Sequence, residues 1–210
     1  HLWDLRRFPA VATFSSKLRS MDCDVKRVKL VETCIENYAS QNFDNLPMAT
    51  LHGDFNDANR LLHGKEWGIL DVGDCVYSWR VNDVAIGAAY VMVNLCTPEN
   101  ERTGFSDKGD HVAVQGAQKF VEGFLQRSTL SSDEKRALPH LIAARLATSF
   151  TLGWYSYRES LAAQPDMPQQ RRDYLLHHAL PAATALDVCL EATSLVADWP
   201  TTKPARDPRR

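Results

Sequence analysis

A twelve-residue stretch, LHGDFNDANRLL (residues 51–62), places one histidine, two aspartates and two asparagines between apolar ends. One residue separates His52 from Asp54, and four residues separate Asp54 from Asn59. A second acidic pair, Asp71 and Asp74, follows the run WGIL. Polar groups concentrated in loops between structured segments are typical of positions that a rigid scaffold holds for binding or catalysis. We therefore take these two loops as the candidate site.

Two of these residues have the chemistry of magnesium ligands. A carboxylate and an amide on a loop that leaves one strand can converge with a second carboxylate from a neighbouring strand. Mg²⁺ prefers oxygen ligands and is usually bound by one or two carboxylates together with substrate phosphates. Asn59 and Asp71 would be the ligands, which leaves Asp54 available to accept a proton. A base, a metal ion and a phosphate-bearing donor are the minimum parts of phosphoryl transfer.

The rest of the chain predicts a mostly helical α+β fold that positions these loops. Hydrophobic periodicity and capping residues predict helices over 25–40, 82–95, 111–126 and 131–158, the last interrupted or bent near Pro139. One or two further helices are expected over 168–196, with a junction at Pro181. The runs ATLHGD (49–54) and RLLHGKEWGILD (60–71) alternate apolar and turn-forming residues, which predicts small strands joined by tight turns. A loop is expected over 97–109.

The composition limits the possible classes of protein. Lys and Arg number 24 and Asp and Glu number 26, so no global field recruits nucleic acid or an anionic membrane. No apolar run approaches the ~18 residues that span a bilayer, and the opening HLWDL lacks the features of a signal peptide. The five cysteines are odd in number and widely spaced, which disfavours a disulfide framework. We therefore expect a cytoplasmic protein without nucleic-acid or membrane partners.

The motif residues follow the order of a kinase catalytic loop and its metal-binding aspartate. The segments His52-Gly53-Asp54 with Asn59, Asp71-Val72-Gly73 and RVNDVAI (80–86) resemble the aminoglycoside phosphotransferase and choline kinase-like superfamily, and within it the hydroxylysine kinases. The resemblance implies a protein kinase-like C-terminal lobe over residues 1–197, in which a small β-hairpin cluster carries the catalytic loop. The polar, Pro-rich tail, 198–210, is expected to be disordered.

The resemblance also implies roles for the motif residues. Asp54 becomes the general base that orients and deprotonates the acceptor hydroxyl, and Asn59 and Asp71 become the ligands of Mg²⁺. The loop-supporting positions are His52 and Asp83, and the positions near the substrate or in the outer shell of the metal are Asp74 and Asn56. The implied reaction transfers the γ-phosphate of GTP, or of ATP, to the side-chain hydroxyl of 5-hydroxy-L-lysine.

One part of such a kinase is missing from the sequence. Kinases of this superfamily place a small β-rich lobe before the helical lobe, with a loop over the nucleotide phosphates and a lysine that contacts them. No G-x-G-x-x-G occurs here, and Lys29 lies in a helical pattern, so it is not assigned to the phosphates. We therefore expect the C-terminal lobe alone, as a fragment, a split gene product or a shortened relative, with an N-terminal lobe present in the full-length protein.

Three functional hypotheses remain open. The chain is the acceptor-and-metal lobe of a small-molecule kinase, an inactive remnant that binds an amino acid or a partner protein, or a magnesium-dependent phosphohydrolase in which Asp54 activates water. The kinase is favoured because a binding module does not need a metal pair beside an unligated carboxylate. The bridging carboxylates of two-metal hydrolysis are not evident either. Within the kinase hypothesis, the acceptor could also be homoserine, choline or an aminoglycoside.

Overall fold

The computed structural model describes residues 2–96 and 111–192, and within them the chain is mostly helical. The α-helices are α1 (Val11–Leu18), α2 (Val25–Ala39), α3 (Val81–Leu95), α4 (Val112–Leu125), α5 (Ser132–Ala163), α6 (Gln169–Leu176) and α7 (Ala179–Glu191). The strands are β1 (Met48–Leu51), β2 (Arg60–His63), β3 (Glu66–Ile69) and β4 (Val76–Trp79). Short 3₁₀ helices cover Leu5–Ala10, Arg19–Met21 and Val72–Asp74. The predicted α+β class is confirmed. Among the helices just named, none has both the length and the apolar character needed to cross a bilayer.

Helix α2 follows the predicted pattern closely. The side chain of Asp24 caps its first turn by accepting a hydrogen bond from the backbone N–H of Arg27. Residues buried at spacings of three and four form one apolar stripe: Val28, Val31, Cys34 and Tyr38. This stripe lies against the rest of the core, where α2 contacts α5. The helix predicted over 25–40 is confirmed, and it ends at Ala39.

Helices α3 and α5 form the centre of the core and position the candidate site. Helix α3 is buried on almost every side and packs against α4, α5 and α7. Helix α5 begins with a capping box in which the Ser131 side chain accepts from the backbone N–H of Glu134 and Glu134 accepts from the backbone N–H of Ser131. Because both helices are held by core packing on several sides, the polar residues that they carry have fixed positions.

Two small antiparallel sheets hold the polar loops. β1 pairs with β4, with Met48 opposite Trp79 and Leu51 opposite Val76. β2 pairs with β3, with Arg60 opposite Ile69. Strands β1, β2 and β3 overlap the runs predicted as strands, whereas β4 has no counterpart in the prediction. The β1–β4 pairing therefore adds a connection between the two loops that the sequence did not indicate.

The structure contradicts an interruption of the helix at Pro139 and a junction at Pro181, while a bend at Pro139 stays a prediction. Pro139 does not interrupt a helix, because α5 runs unbroken from Ser132 to Ala163 with Pro139 buried inside it. Contacts with α1, α2, α3 and α7 hold the helix together despite the hydrogen bond that a proline removes. Pro181 is the third residue of α7, where a backbone N–H has no partner within the helix, and the junction lies at 177–178 instead. The loop predicted over 97–109 and the tail predicted over 198–210 lie outside the described residues.

Candidate active site

The β1–β4 pairing places the two candidate loops side by side. His52 follows β1 directly, and Asp74 is separated from β4 by one residue. Gly53 lies where the loops meet: its φ is +83°, and a Cβ at this position would lie 2.7 Å from the backbone oxygen of Asp74. The left-handed backbone and the close approach both require glycine. The glycine between His52 and Asp54 is therefore a packing requirement of this loop.

Asp83 and His52 fix the backbone of the first loop. Asp83, in the first turn of α3, accepts hydrogen bonds from the backbone N–H groups of His52 and Gly53, both at 2.9 Å. The His52 ring accepts from the backbone N–H of Asp54 through Nδ1 at 3.3 Å and contacts the backbone oxygen of Leu70 through Nε2 at 2.7 Å. Because a backbone oxygen can only accept, this network assigns the proton to Nε2. His52 thereby connects the two loops.

The carboxylate of Asp54 accepts hydrogen bonds from four side chains. Oδ1 accepts from Nη2 of Arg145 at 2.5 Å and from the hydroxyl of Tyr90 at 3.2 Å. Oδ2 accepts from the amide nitrogens of Asn56 at 3.0 Å and Asn59 at 3.4 Å. The Asp54 side chain is 24% exposed. The carboxylate is therefore oriented from both ends and still reachable by a ligand.

Arg145 is a buried charged residue beside the candidate base. Its side chain is 2% exposed, and its Cζ lies 4.6 Å from the ring centroid of Trp3 and 5.2 Å from that of Tyr90. Burial raises the pKa of Tyr90, and Arg145 acts in the opposite direction, so the tyrosine remains a neutral donor toward Asp54. Removing the partner of a buried ion pair costs roughly 3–5 kcal/mol. The contact with Arg145 is thus a strong constraint on the orientation of Asp54.

Asn59 lies in the first loop beside Asp54, and Asp71 lies at the start of the second loop. Nδ2 of Asn59 donates to the backbone oxygen of Asp54 at 2.9 Å, so Oδ1 is the atom of this amide that could bind a cation. The backbone oxygen of Asn59 accepts from the backbone N–H of Leu70 at 3.0 Å, which fixes the position of the residue before Asp71. Asp71 itself is exposed and has a left-handed backbone, with φ +57°.

The donor set in these loops fits magnesium. Within residues 2–96 and 111–192, no three or more His, Cys, Asp or Glu side chains are grouped as a metal cage. A magnesium ion at a phosphoryl-transfer site does not need such a cage, since one or two protein oxygens, water and substrate phosphates complete its coordination. The amide oxygen of Asn59 and the exposed carboxylate of Asp71 are oxygen donors of the type that Mg²⁺ prefers.

A pocket of about 220 Å³ opens beside Asp54. Its polar wall includes the side chains of Asp4, Asp54, Asp74, Asn82 and Arg145. This volume is below the ~300–1,000 Å³ of sites that take drug-sized ligands. The pocket therefore suits a compact molecule with both polar and apolar groups. Asp74 borders this space, whereas Asn56 contacts Asp54.

A buried hydrogen-bond chain lies along one side of the pocket. Nδ2 of Asn82 donates to Oγ of Ser78 at 3.0 Å, and this hydroxyl donates to Oδ1 of Asp4 at 2.6 Å. Oδ1 of Asn82 is buried and has no hydrogen-bond partner among the described residues. A buried acceptor without a donor is uncommon in folded proteins.

Sequence reasoning missed three residues of this site: Trp3, Tyr90 and Arg145. Tyr90 and Arg145 lie 36 and 91 residues after Asp54, so no local spacing connects them with the motif. One signal was present, because Arg145 interrupts the apolar run LIAARLATSF (141–150). An arginine on a buried face is rare unless it is paired, and this one predicts a buried partner without identifying it.

Comparisons with known proteins give the sequence relatives of this chain. The model of the phosphotransferase enzyme family matches residues 4–115. Hydroxylysine kinase of Danio rerio is 29% identical over 164 residues, which are 74% of this chain and 41% of the relative. Hydroxylysine kinase of Mus musculus is 26% identical over 168 residues, which are 74% of this chain and 40% of the relative. The chain thus spans about two fifths of the length of these curated relatives.

Proposed function

The chain belongs to the phosphotransferase enzyme family, and we propose that it forms the acceptor lobe of a small-molecule kinase that phosphorylates 5-hydroxy-L-lysine. In this proposal Asp54 is the general base, and Asn59 and Asp71 hold Mg²⁺. The acceptor is taken from the hydroxylysine kinases that the chain resembles. The observation that carries the proposal is the carboxylate of Asp54, which is held by Arg145 at the edge of a compact polar pocket.

In the proposed reaction, Asp54 acts on the acceptor hydroxyl, and Asn59 and Asp71 act on the phosphate donor through the metal ion. The acceptor hydroxyl donates a hydrogen bond to Asp54, which aims its oxygen at the γ-phosphorus of the donor. As the new O–P bond forms and the bond to the leaving nucleoside diphosphate breaks, the hydroxyl proton passes to Asp54. Positioning and proton transfer of this kind contribute about 10²–10⁴-fold to a rate. A magnesium ion held by Asn59 and Asp71 would neutralise charge on the phosphates.

The nucleotide is proposed to be GTP, with ATP as the alternative, and its binding needs surface beyond the pocket. The hairpin β2–β3 presents the apolar side chains Leu62, Trp67 and Ile69 to solvent on one of its faces. Large exposed apolar patches mark interaction sites. We propose that this face contacts the nucleotide-binding lobe of the full-length protein. A cytoplasmic location remains our prediction.

An assay of the complete protein tests the base assignment. With 5-hydroxy-L-lysine and GTP or ATP, Asp54→Asn is expected to lower kcat about 10²–10⁴-fold, because an amide cannot accept the proton. Asp57→Asn is the matched control: this carboxylate lies in the same loop and is exposed, and its removal should change kcat less than about threefold. Because Asp54→Asn also removes the charge facing Arg145, thermal unfolding of each variant gives the folded fraction used to normalise kcat.

The same assay separates the competing functions. Full activity of Asp54→Asn would remove Asp54 as the base. Binding of hydroxylysine without phosphate transfer by the complete protein indicates a binding module. Release of inorganic phosphate from the nucleotide, independent of any acceptor, indicates a phosphohydrolase. Transfer to choline or an aminoglycoside in preference to hydroxylysine would keep the kinase and replace its acceptor.

A further inference from the structure

Arg145 is poorly suited to its place in the core. Its side chain is 2% exposed, and it lies in the apolar run LIAARLATSF (141–150) of helix α5. Nε and Nη1 are buried and have no hydrogen-bond partner among the described residues. Buried donors without acceptors are disfavoured, and apolar residues can often replace a buried ion pair without loss of stability. The advantage of an arginine at this position must therefore come from what it contacts.

The group that Arg145 contacts is the proposed base. Nη2 donates to Oδ1 of Asp54 at 2.5 Å and to the hydroxyl of Tyr90 at 2.9 Å, and that hydroxyl donates to the same Oδ1 at 3.2 Å. The three side chains form a closed triangle of hydrogen bonds. A hydrogen bond between two charged groups is roughly twice as strong as one between neutral groups. Oδ1 of Asp54 is therefore held by two donors from the core helices α5 and α3.

The surroundings of Arg145 limit the movement of its guanidinium. The ring centroids of Trp3 and Tyr90 lie 4.6 Å and 5.2 Å from its Cζ. Helix α5 itself packs against α1, α2, α3 and α7, and side chains in a close-packed interior have few alternative rotamers. Asp54, in contrast, lies in a loop, and its side chain is 24% exposed. Arg145 is thus a rigid support for a carboxylate that its own loop holds less firmly.

The charges around the pocket indicate that Arg145 serves the base and not a bound anion. The charge of Arg145 is paired with that of Asp54. Two further carboxylates, those of Asp4 and Asp74, border the same space. An entering anion would be repelled by these carboxylates without an unpaired cation to attract it. The role of Arg145 is therefore to be found in its contact with Asp54.

We propose that Arg145 is a positioning residue for the phosphoryl transfer. Through Nη2, and together with the hydroxyl of Tyr90, it holds the carboxylate of Asp54 in the orientation that receives the acceptor hydroxyl. The hydroxyl proton still passes to Asp54, and neither Arg145 nor Tyr90 exchanges a proton. This inference rests on the proposed function and deepens it, because it extends the site from the catalytic loop to helices α3 and α5.

Kinetics of the complete protein test this role through Arg145→Met, which places a flexible apolar side chain in the core. With 5-hydroxy-L-lysine and GTP or ATP, kcat is expected to fall about 10²-fold, the scale of a misplaced reacting group, while the KM for the nucleotide changes less than about threefold. Thermal unfolding of each variant gives the folded fraction used to normalise kcat. An unchanged kcat in a folded Arg145→Met would overturn the proposal.

Arg136→Met is the matched control for Arg145→Met. Arg136 lies on the same helix, is exposed and pairs with Asp133 at the surface. The same substitution at this position should leave kcat within about twofold of the unaltered protein.

A double-mutant cycle separates positioning from a general structural role. If Arg145 acts through Asp54, its removal has no further effect after Asp54→Asn has removed the base. The variant that combines Asp54→Asn with Arg145→Met should therefore have a kcat within about threefold of that of Asp54→Asn alone. A general distortion of the lobe would multiply the two losses, and this result would reject the positioning role.

Tyr90→Phe tests the same positioning with a smaller change and decides the question if Arg145→Met does not fold. It removes only the hydroxyl that donates to Asp54, so kcat is expected to fall about tenfold, again without a further loss in combination with Asp54→Asn. Tyr174→Phe is its control, because Tyr174 is 61% exposed, and kcat should not change. An unchanged kcat in Tyr90→Phe, where Arg145→Met does not fold, would contradict the proposal.

The positioning role and the kinase reaction fail in different ways. Loss of activity in Asp54→Asn, together with full activity in folded Arg145→Met and Tyr90→Phe, would retain the kinase and reject the positioning role. If the unaltered complete protein transfers no phosphate to any acceptor, the kinase reaction is rejected and the positioning role with it.

Discussion

The two sides of the catalytic loop differ in how the chain supports them. On the pocket side, Asp54 contacts Arg145 and Tyr90, which project from helices α5 and α3 in the core. On the hairpin side, every residue of β2 and β3 is exposed, and Trp67 is 67% exposed. A two-stranded hairpin without a packed face is marginally stable on its own. The pocket is therefore preorganised by this chain, while the hairpin gains little support from the described residues.

This difference fits the two halves of the proposed phosphoryl transfer. The acceptor must be held in a fixed geometry relative to the base, and rigid helices provide that. In the proposed reaction, the phosphate donor and its metal ion would lie on the side of Asn59 and Asp71, next to the exposed apolar hairpin. We infer that the acceptor half of the site is formed largely within this chain and that the donor half depends on additional protein surface.

A pair of alanine variants gives the largest expected contrast in stability. Phe150 is fully buried in α5, so Phe150→Ala should lower the free energy of unfolding by about 3–5 kcal/mol through cavity formation. Trp67→Ala should cost at most about 1 kcal/mol, because the ring is exposed and its main contact is with Arg60, at 5.8 Å. Urea unfolding of the chain measures both. A loss above 2 kcal/mol for Trp67→Ala would show that the hairpin is packed after all.

The second largest effect is expected for the carboxylate of Asp71, on the hairpin side, whose replacement should lower kcat. Asp71→Asn in the complete protein is expected to lower kcat about 10²–10³-fold, the scale of one lost electrostatic contact in a transition state. It should also raise the Mg²⁺ concentration needed for half-maximal activity, since an amide binds the cation more weakly than a carboxylate. Steady-state kinetics over a Mg²⁺ series measures both quantities.

Glu66→Gln is the control for Asp71→Asn because Glu66 is exposed on the same hairpin. Its kcat and its Mg²⁺ requirement should stay within about twofold of the unaltered protein. If Asp71→Asn behaves in the same way, Asp71 is not a metal ligand. The proposal that the donor side of the site holds the metal ion would then be rejected.

Local patterns in the sequence predicted the parts of the site that local geometry determines. The spacing from His52 to Asn59 lies within one loop, so residue types and order sufficed to single it out. Helix α2 was predicted because its apolar residues repeat at the helical period. The kinase-like character of the lobe comes from resemblance, and as a statement about architecture it remains a prediction.

Long-range contacts explain what the sequence could not predict. Strand β4 contains the strand-favouring residues Val76, Tyr77 and Trp79, but its partner β1 lies about 25 residues earlier in the chain, and local patterns do not predict that pairing. Arg145 reaches Asp54 across 91 residues only after α5 has packed into the core. Pro139 shows the converse case, since a local rule predicted an interruption that tertiary packing prevented.

An ion pair joins β4 to the start of α5. Arg80, which follows β4 directly, donates to Glu134 at the start of α5 through Nε at 3.0 Å and Nη2 at 2.6 Å. Burial raises the pKa of Glu134, but the hydrogen bonds from Arg80 and Ser131 outweigh it, and the pKa lies below its usual 4.5. A carboxyl group whose pKa is lowered by folding stabilises the fold at pH values above its unfolded-state pKa. This stabilisation is lost as the pH falls through the folded-state pKa.

Glu134→Gln should lower the free energy of unfolding by about 2–3 kcal/mol at pH 7. Loss of a partner in a fully buried pair costs ~3–5 kcal/mol, and the expected loss is smaller here because the Arg80 side chain is 38% exposed and partly solvated. Since protonation of Glu134 removes the same charge, this difference from the unaltered chain should shrink as the pH falls below about 4.5. Urea unfolding at pH 7 and pH 4 measures it. Glu32→Gln, which breaks a surface pair with Arg19, should cost less than about 1 kcal/mol. An equal loss for Glu134→Gln at both pH values would mean that the shape of the contact, and not its charge, joins β4 to α5.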